Sequence, residues 1–206
     1  MMKSIAVSLT VLLLAGCETT SVYSTNPNAN RNATGGGAIQ TLALTTVDFE
    51  YAAKKSVDKF LQSKRAQKPG GGSWVTSMGE VVNDTSMRIS TQSITDRMKE
   101  YMNDSGSFIF TGTFGAERTS FASDSRQLSQ SSMVDQRTVA RSGTVIAPDF
   151  AMSGAIRQRT VVGADRKQQQ IEYEFSFRVI DAKLGLEVFQ TLTPIDKLGS
   201  NANFSW

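Results

Sequence analysis

Ile171-Glu172-Tyr173-Glu174-Phe175-Ser176-Phe177-Arg178-Val179 alternates apolar and polar side chains over nine residues. A strand repeats every two residues, so this pattern gives one face to a core and the other to solvent. Two neighbouring stretches repeat it: Phe150, Met152, Gly154 and Ile156 before it, and Leu186, Val188, Gln190 and Leu192 after it. The links, Val162-Gly163-Ala164-Asp165-Arg166 and Asp181-Ala182-Lys183-Leu184-Gly185, are short enough for antiparallel hairpins, with Asp181 opening the second turn and Gly185 closing it. Three strands in a meander, each apolar on one side, need a second layer.

Upstream segments supply that layer. Thr45 or Thr46 caps a helix whose apolar positions Val47, Tyr51, Ala52, Val57, Phe60 and Leu61 follow a 3.6-residue period, stopping before Lys68-Pro69-Gly70-Gly71-Gly72. Trp74, Val75, Met78, Val81 and Val82 read as a strand interrupted at Gly79. Ser90 or Thr91 then caps a second helix with Ile94, Met98, Tyr101 and Met102 on one face; Gly106 closes it, and a short strand, Ser107 to Phe110, follows. Thr113 to Val145, rich in Ser, Arg, Gln and Asp, reads as two polar surface helices. The fold class is therefore α/β: a mixed β-sheet flanked by α-helices, ending in an antiparallel meander.

The N-terminus carries a different message. Lys3, an apolar run from Ile5 to Leu14 and Leu14-Ala15-Gly16-Cys17 make a secretory signal peptide over residues 1–16, too short for a permanent membrane helix. Leu-Ala-Gly-Cys is also a lipobox, which assigns Cys17 as the site of lipid attachment. Three acyl chains, each buried methylene contributing about 0.8 kcal/mol, make such attachment effectively permanent. Glu18 in place of Asp after the acylated residue favours sorting to the outer membrane, with the domain facing the periplasm. Residues 17–40, with Asn26-Pro27-Asn28 and Gly35-Gly36-Gly37, contain too little apolar surface to offset ordering entropy and read as a flexible tether. Residues 41–200 are one domain by length, and 201–206 a tail.

Composition narrows the chemistry. Cys17 is the only Cys and there is no His, which removes disulfides, Cys/His zinc sites and Cys–His or Ser–His nucleophiles. A hydrolase would need carboxylates or a Ser–Lys pair. Glu172 with Glu174, and Asp165 with Asp181, are the available carboxylate pairs, but Glu172 and Glu174 sit on the polar face of their strand and Asp181 serves its turn. Gly70-Gly71-Gly72 lacks the Lys-Ser or Lys-Thr of a phosphate loop. Asn83-Asp84-Thr85, at a strand-to-helix junction, suits local backbone hydrogen bonds. No metal or cofactor is expected. The net charge of +3 is scattered rather than clustered, which gives no case for nucleic acid. One local concentration, Arg157, Arg159, Arg166 and Lys167 around a single hairpin, is a candidate contact for an acidic partner, although charge on an exposed hairpin also serves to block aggregation.

Three stretches together resemble the LpoB family: Val81-Val82-Asn83-Asp84-Thr85 with the capped helix and Gly-x-Phe after it; Ala147-Pro148-Asp149-Phe150-Ala151-Met152-Ser153-Gly154; and Phe175 to Val188, with its Asp-Ala-Lys-x-Gly turn. The resemblance covers about residues 73 to 195. It implies a fold similar to the N-terminal domain of TolB and the core of the curli secretion lipoprotein CsgG. It also implies a monomeric outer-membrane lipoprotein, not an enzyme, that binds and activates a bifunctional peptidoglycan synthase, a penicillin-binding protein, and so serves cell-wall growth and cell shape. The alternative is a subunit of a secretion, curli-like or flagellum-associated assembly with the same fold. The chain departs from the family in having Phe189 where members commonly place a Trp, and in a tether with one proline, Pro27, where enterobacterial members have a long Pro-rich one.

Overall fold

The structure, a computed structural model, describes residues 23–26, 43–116, 120, 124, 127–139, 143–162 and 168–200. Five long strands and one short one form a single sheet: β1 (Tyr23–Ser24), β2 (Trp74–Asp84), β3 (Phe108–Gly115), β4 (Phe150–Val162), β5 (Gln168–Asp181) and β6 (Leu186–Ser200). Two helices, α1 (Thr46–Leu61) and α2 (Thr91–Asp104), and a 3-10 turn (Lys64–Ala66) accompany the sheet. The strand order is β1-β6-β5-β4-β2-β3. Strands β4, β5 and β6 form the expected antiparallel meander, and β2 runs parallel to both β3 and β4, so the sheet is mixed.

Helix α1 begins where the capping residue allows. The Asp48 carboxylate accepts hydrogen bonds from the Thr45 N–H and hydroxyl, both at 2.8 Å. Ser90 caps α2 by accepting from the Ser93 N–H. Both helices bury one stripe, Ala52, Ala53, Val57 and Phe60 on α1 and Ile94, Met98 and Met102 on α2, against the same face of the sheet. Phe60 is the centre of that core, with ring centroids 5.5 Å from Phe108, 6.1 Å from Phe177 and 5.1 Å from Phe189. Phe189 thus fills the aromatic position in the core without an indole donor.

Four expectations are corrected. Beyond Val188, strand β6 buries the register opposite to the one its apolar alternation announces: Leu192 is exposed, while Thr191, Thr193, Ile195 and Lys197 face inward. The cause is a shift in the β5–β6 register between Val179 and Ile180, which leaves Val188 unpaired and turns the rest of β6 over. Strand β3 runs on to Gly115 rather than stopping at Phe110. Of the two surface helices expected over residues 113–145, helix is present at Asp124, Gln127 and Leu128, whereas the described residues 129–139 form turns and bends; Asp135, for example, caps a turn through the Arg137 and Thr138 amides.

The fourth correction concerns the tether expected over residues 17–40. Within it, β1 pairs antiparallel with the C-terminal part of β6, Tyr23 opposite Leu198 and Ser24 opposite Lys197, and Asn26 is fully buried. The remaining residues of 17–40, Cys17 among them, and the signal segment 1–16 lie outside the described residues.

Candidate functional site

The hairpin singled out for its charge is formed by β4 and β5. Antiparallel register puts Arg157 opposite Glu174 and Arg159 opposite Glu172. Arg157 lies 3.5 Å from Glu174, both exposed, the kind of pair that contributes at most about 1 kcal/mol. Arg178 approaches Glu187 at 3.8 Å across β5 and β6 in the same way. The described part of the hairpin is therefore a ladder of alternating sign, not a basic patch. Arg166 and Lys167, which follow β4 in the chain, lie outside the described residues. The open face of the sheet around this ladder exposes Val82 and Leu192 among the charges, and both described helices pack on the other face.

The carboxylates weighed for catalysis are accounted for locally. Glu172 and Glu174 point away from the buried Tyr173 and Phe175. Asp181 accepts from the Lys183 and Leu184 amides at 2.9 and 3.0 Å, and Gly185 closes the turn at φ 69°. Among the described residues there is no group of three or more Asp, Glu, Cys or His placed to hold a metal. Asn83 and Thr85 bond each other and the Met87 carbonyl, as expected of residues at a strand-to-helix junction.

Asp149 joins two of the stretches that carry the resemblance. Its amide donates to the Val75 carbonyl at 2.7 Å and its carboxylate accepts from the Val75 amide at 3.2 Å, which starts the β2–β4 pairing. Lys183 at 2.9 Å and Lys68 at 3.4 Å complete its shell, and Lys68 also lies over the Trp74 ring. Burial pushes the Asp149 carboxyl up, but the hydrogen bonds from Lys183, the Val75 amide and Lys68 outweigh it and hold it below the usual range. This residue binds the β5–β6 turn to the start of the sheet, a structural role.

Two further features escaped the sequence. A cleft of about 740 Å³ opens between α1, α2 and the loop before α2, with Leu44, Phe49, Met87, Ile89 and Ile94 in its lining. On its wall Arg97 bridges Glu50 at 3.2 Å and Glu100 at 2.9 Å, so its charge is already matched. The other feature is a buried polar node: Lys197 from β6 pairs with Asp48 of α1, and the Asn26 side-chain amide donates to Asp48 at 2.9 Å. Nothing in the sequence around Lys197 signals that it is buried. What the described surface offers is apolar concavity and paired charge.

A mixed sheet with both helices on one face and a closing meander is the α/β architecture these residues define. The model of the family described as "Peptidoglycan-synthase activator LpoB" matches residues 48–195, and this chain belongs to the LpoB family. Among solved structures, the LpoB C-terminal domain from Salmonella enterica is 15% identical with a TM-score of 0.43, covering 71% of this chain and 97% of that one. The corresponding Escherichia coli domain is 11% identical with a TM-score of 0.41 and the same coverage. The NMR structure of E. coli LpoB, 12% identical with a TM-score of 0.40, spans 94% of this chain and 92% of its own. No curated protein matches the chain.

Proposed function

We propose that the mature protein is a monomeric outer-membrane lipoprotein, acylated at Cys17, that binds a bifunctional peptidoglycan synthase from the periplasmic side and stimulates it, without catalysis of its own. The observation that carries this reading is the match of the peptidoglycan-synthase activator family over residues 48–195, which takes in every described element from the first turn of α1 to most of β6. The apolar cleft and the charge-laddered sheet face are surfaces for a protein partner. The lipobox Leu14-Ala15-Gly16-Cys17 supports the anchor and Glu18 supports the outer membrane.

The decisive experiment adds the soluble domain, residues 18–206, to a purified synthase and follows glycan polymerisation, with sizing of the domain alone. An increase in rate with a monomeric elution volume is expected. No increase, with capture of secretion or motility components from solubilised membranes, replaces this reading with the assembly-subunit one. Anchoring is tested separately: Cys17→Ala should leave a precursor of higher apparent mass that takes up no labelled palmitate.

One observation favours the assembly-subunit reading: β1 brings the ordered domain to within a few residues of Cys17, which suits a partner at the outer membrane.

A further inference from the structure

Residues 24–26 are held by β6 on one side and by the start of α1 on the other. The Thr25 N–H donates to the Asp196 carbonyl at 3.0 Å, and the Asp196 N–H donates back to the Thr25 hydroxyl at 2.9 Å. Asn26, fully buried, donates through its side-chain amide to the Val47 carbonyl at 3.1 Å and to the Asp48 carboxylate at 2.9 Å. The same carboxylate carries the Lys197 ammonium, which also donates to the Ala43 carbonyl at 3.0 Å. Asn26 and Ala43 are the two flanks of residues 27–42, and both are fastened to this one node. A segment closed at both ends on the same point of a domain adds nothing to the distance between that domain and whatever precedes it, whatever the segment's length.

We propose that Tyr23–Asn26 is a strap that shortens the leash of the domain. With the strap docked, residues 18–22 alone separate Cys17 from the folded body, a span of about 20 Å at full stretch at roughly 3.4 Å per residue. With the strap free, the chain up to Thr45 would stretch to about 95 Å. The docked domain therefore works at the lipid surface, with its β1–β6 edge toward the membrane, and its partner meets it within that short radius. The leash length rests on acylation at Cys17; the docking of the strap does not.

The test uses the acylated full-length chain in vesicles of phosphatidylethanolamine and phosphatidylglycerol containing a headgroup-labelled acceptor lipid, with a donor dye on Thr160→Cys, an exposed strand position. Twenty Gly/Ser residues inserted between Thr20 and Ser21 should lower energy transfer severalfold, and the same insertion between Gly35 and Gly36 should leave it unchanged. Thr25→Pro with Asn26→Ala, which removes the strap's amide donor and its pin, should make the second insertion lower transfer as well. Equal losses from the two insertions in the unaltered strap would overturn the proposal, as would indifference of the second insertion after the strap is cut. Failure of the lipid reading shows differently, as a chain that does not float with vesicles. In that case Cys17→Ser in solution still decides the strap: protection of the Thr25 amide from hydrogen exchange supports it, and exchange at the rate of a free peptide overturns it.

Discussion

Lys197, on the C-terminal part of β6, places its ammonium on the carboxylate of Asp48 in the first turn of α1, and the two side chains are 3% and 0% exposed. One buried pair thereby joins the end of the meander to the start of the first helix. Asn26, Thr45 and Ala43 satisfy the groups the pair leaves over. Breaking a buried pair by removing one partner costs about 3–5 kcal/mol, because it strands a charge away from water. Lys197→Met should destabilise the soluble domain by roughly that amount in equilibrium urea unfolding, at the lower end because Asn26 and Thr45 still donate to Asp48. The double variant Asp48→Leu with Lys197→Met should recover most of the loss; recovery of none of it would mean that the pair acts through more than its charges.

Asp48 also sets an acid limit. Burial alone would raise its carboxyl, but the hydrogen bonds from Lys197, Asn26 and the Thr45 amide outweigh burial and hold it below 3.8. The unfolded chain then takes up a proton that the folded one refuses. The stabilisation is complete above the unfolded value of 3.8 and is lost as pH falls below it. Asp149 adds in the same direction. Thermal melts of the soluble domain should fall steeply below about pH 4, and Asp48→Asn should flatten that descent.

Tyr173 sets an alkaline limit. Its hydroxyl reaches Met87 Sδ at 3.6 Å, and burial, assisted by the nearby charge of Asp48, pushes its pKa up to about 12 from an ordinary 10.0. A raised value means that the stabilisation is full below pH 10 and is lost as pH climbs toward 12. The loss should be of order 2–3 kcal/mol, and Tyr173→Phe should remove it. A titration of stability between pH 9 and pH 12 that is the same in both chains would contradict this.

Phe60 touches four other rings, those of Phe108, Phe150, Phe177 and Phe189, so its removal opens a cavity between the helix layer and the sheet. Phe60→Ala should cost about 3–5 kcal/mol, and Phe60→Leu far less, in denaturant unfolding. A cost under about 1 kcal/mol for the alanine variant would show that the layer collapses into the gap.

Gly154 lies where β4 passes beneath Phe175, and a Cβ there would sit 2.9 Å from the Ser176 carbonyl oxygen and 3.3 Å from the Phe175 ring. Because the nearest obstacle is backbone of the adjoining strand, relief requires the strands to part. Gly154→Ala should therefore destabilise by about 1–3 kcal/mol despite adding apolar surface. Calorimetry of the two chains checks the sign.

The sequence by itself determined the elements whose periodicity faces a single core. The alternation from Ile171 to Val179, the stripe from Val57 to Phe60, the caps at Thr45 and Ser90 and the turn from Asp181 to Gly185 all stand as read, because each rests on contacts between residues close together in the chain. The stretches resembling the LpoB family were legible for the same reason, since Asp149, Lys183 and the residues around Val75 preserve a strand start and a turn. Tertiary structure alone decided what depends on partners far away. The inward face of β6 follows from a register shift against β5, and apolar alternation in β6 pointed the other way. The charge of Arg157 and Arg159 is answered by Glu174 and Glu172 only once register places the strands side by side. Asn26 shows the limit most clearly. Its surroundings are poor in apolar residues, and by apolar surface alone they have the composition of a tether. Its order comes instead from two backbone pairings and a polar side chain matched to a carboxylate 22 residues away. Local composition can report how much apolar surface a segment has to bury; it cannot report a hydrogen-bonding partner that folding has yet to bring within 3 Å.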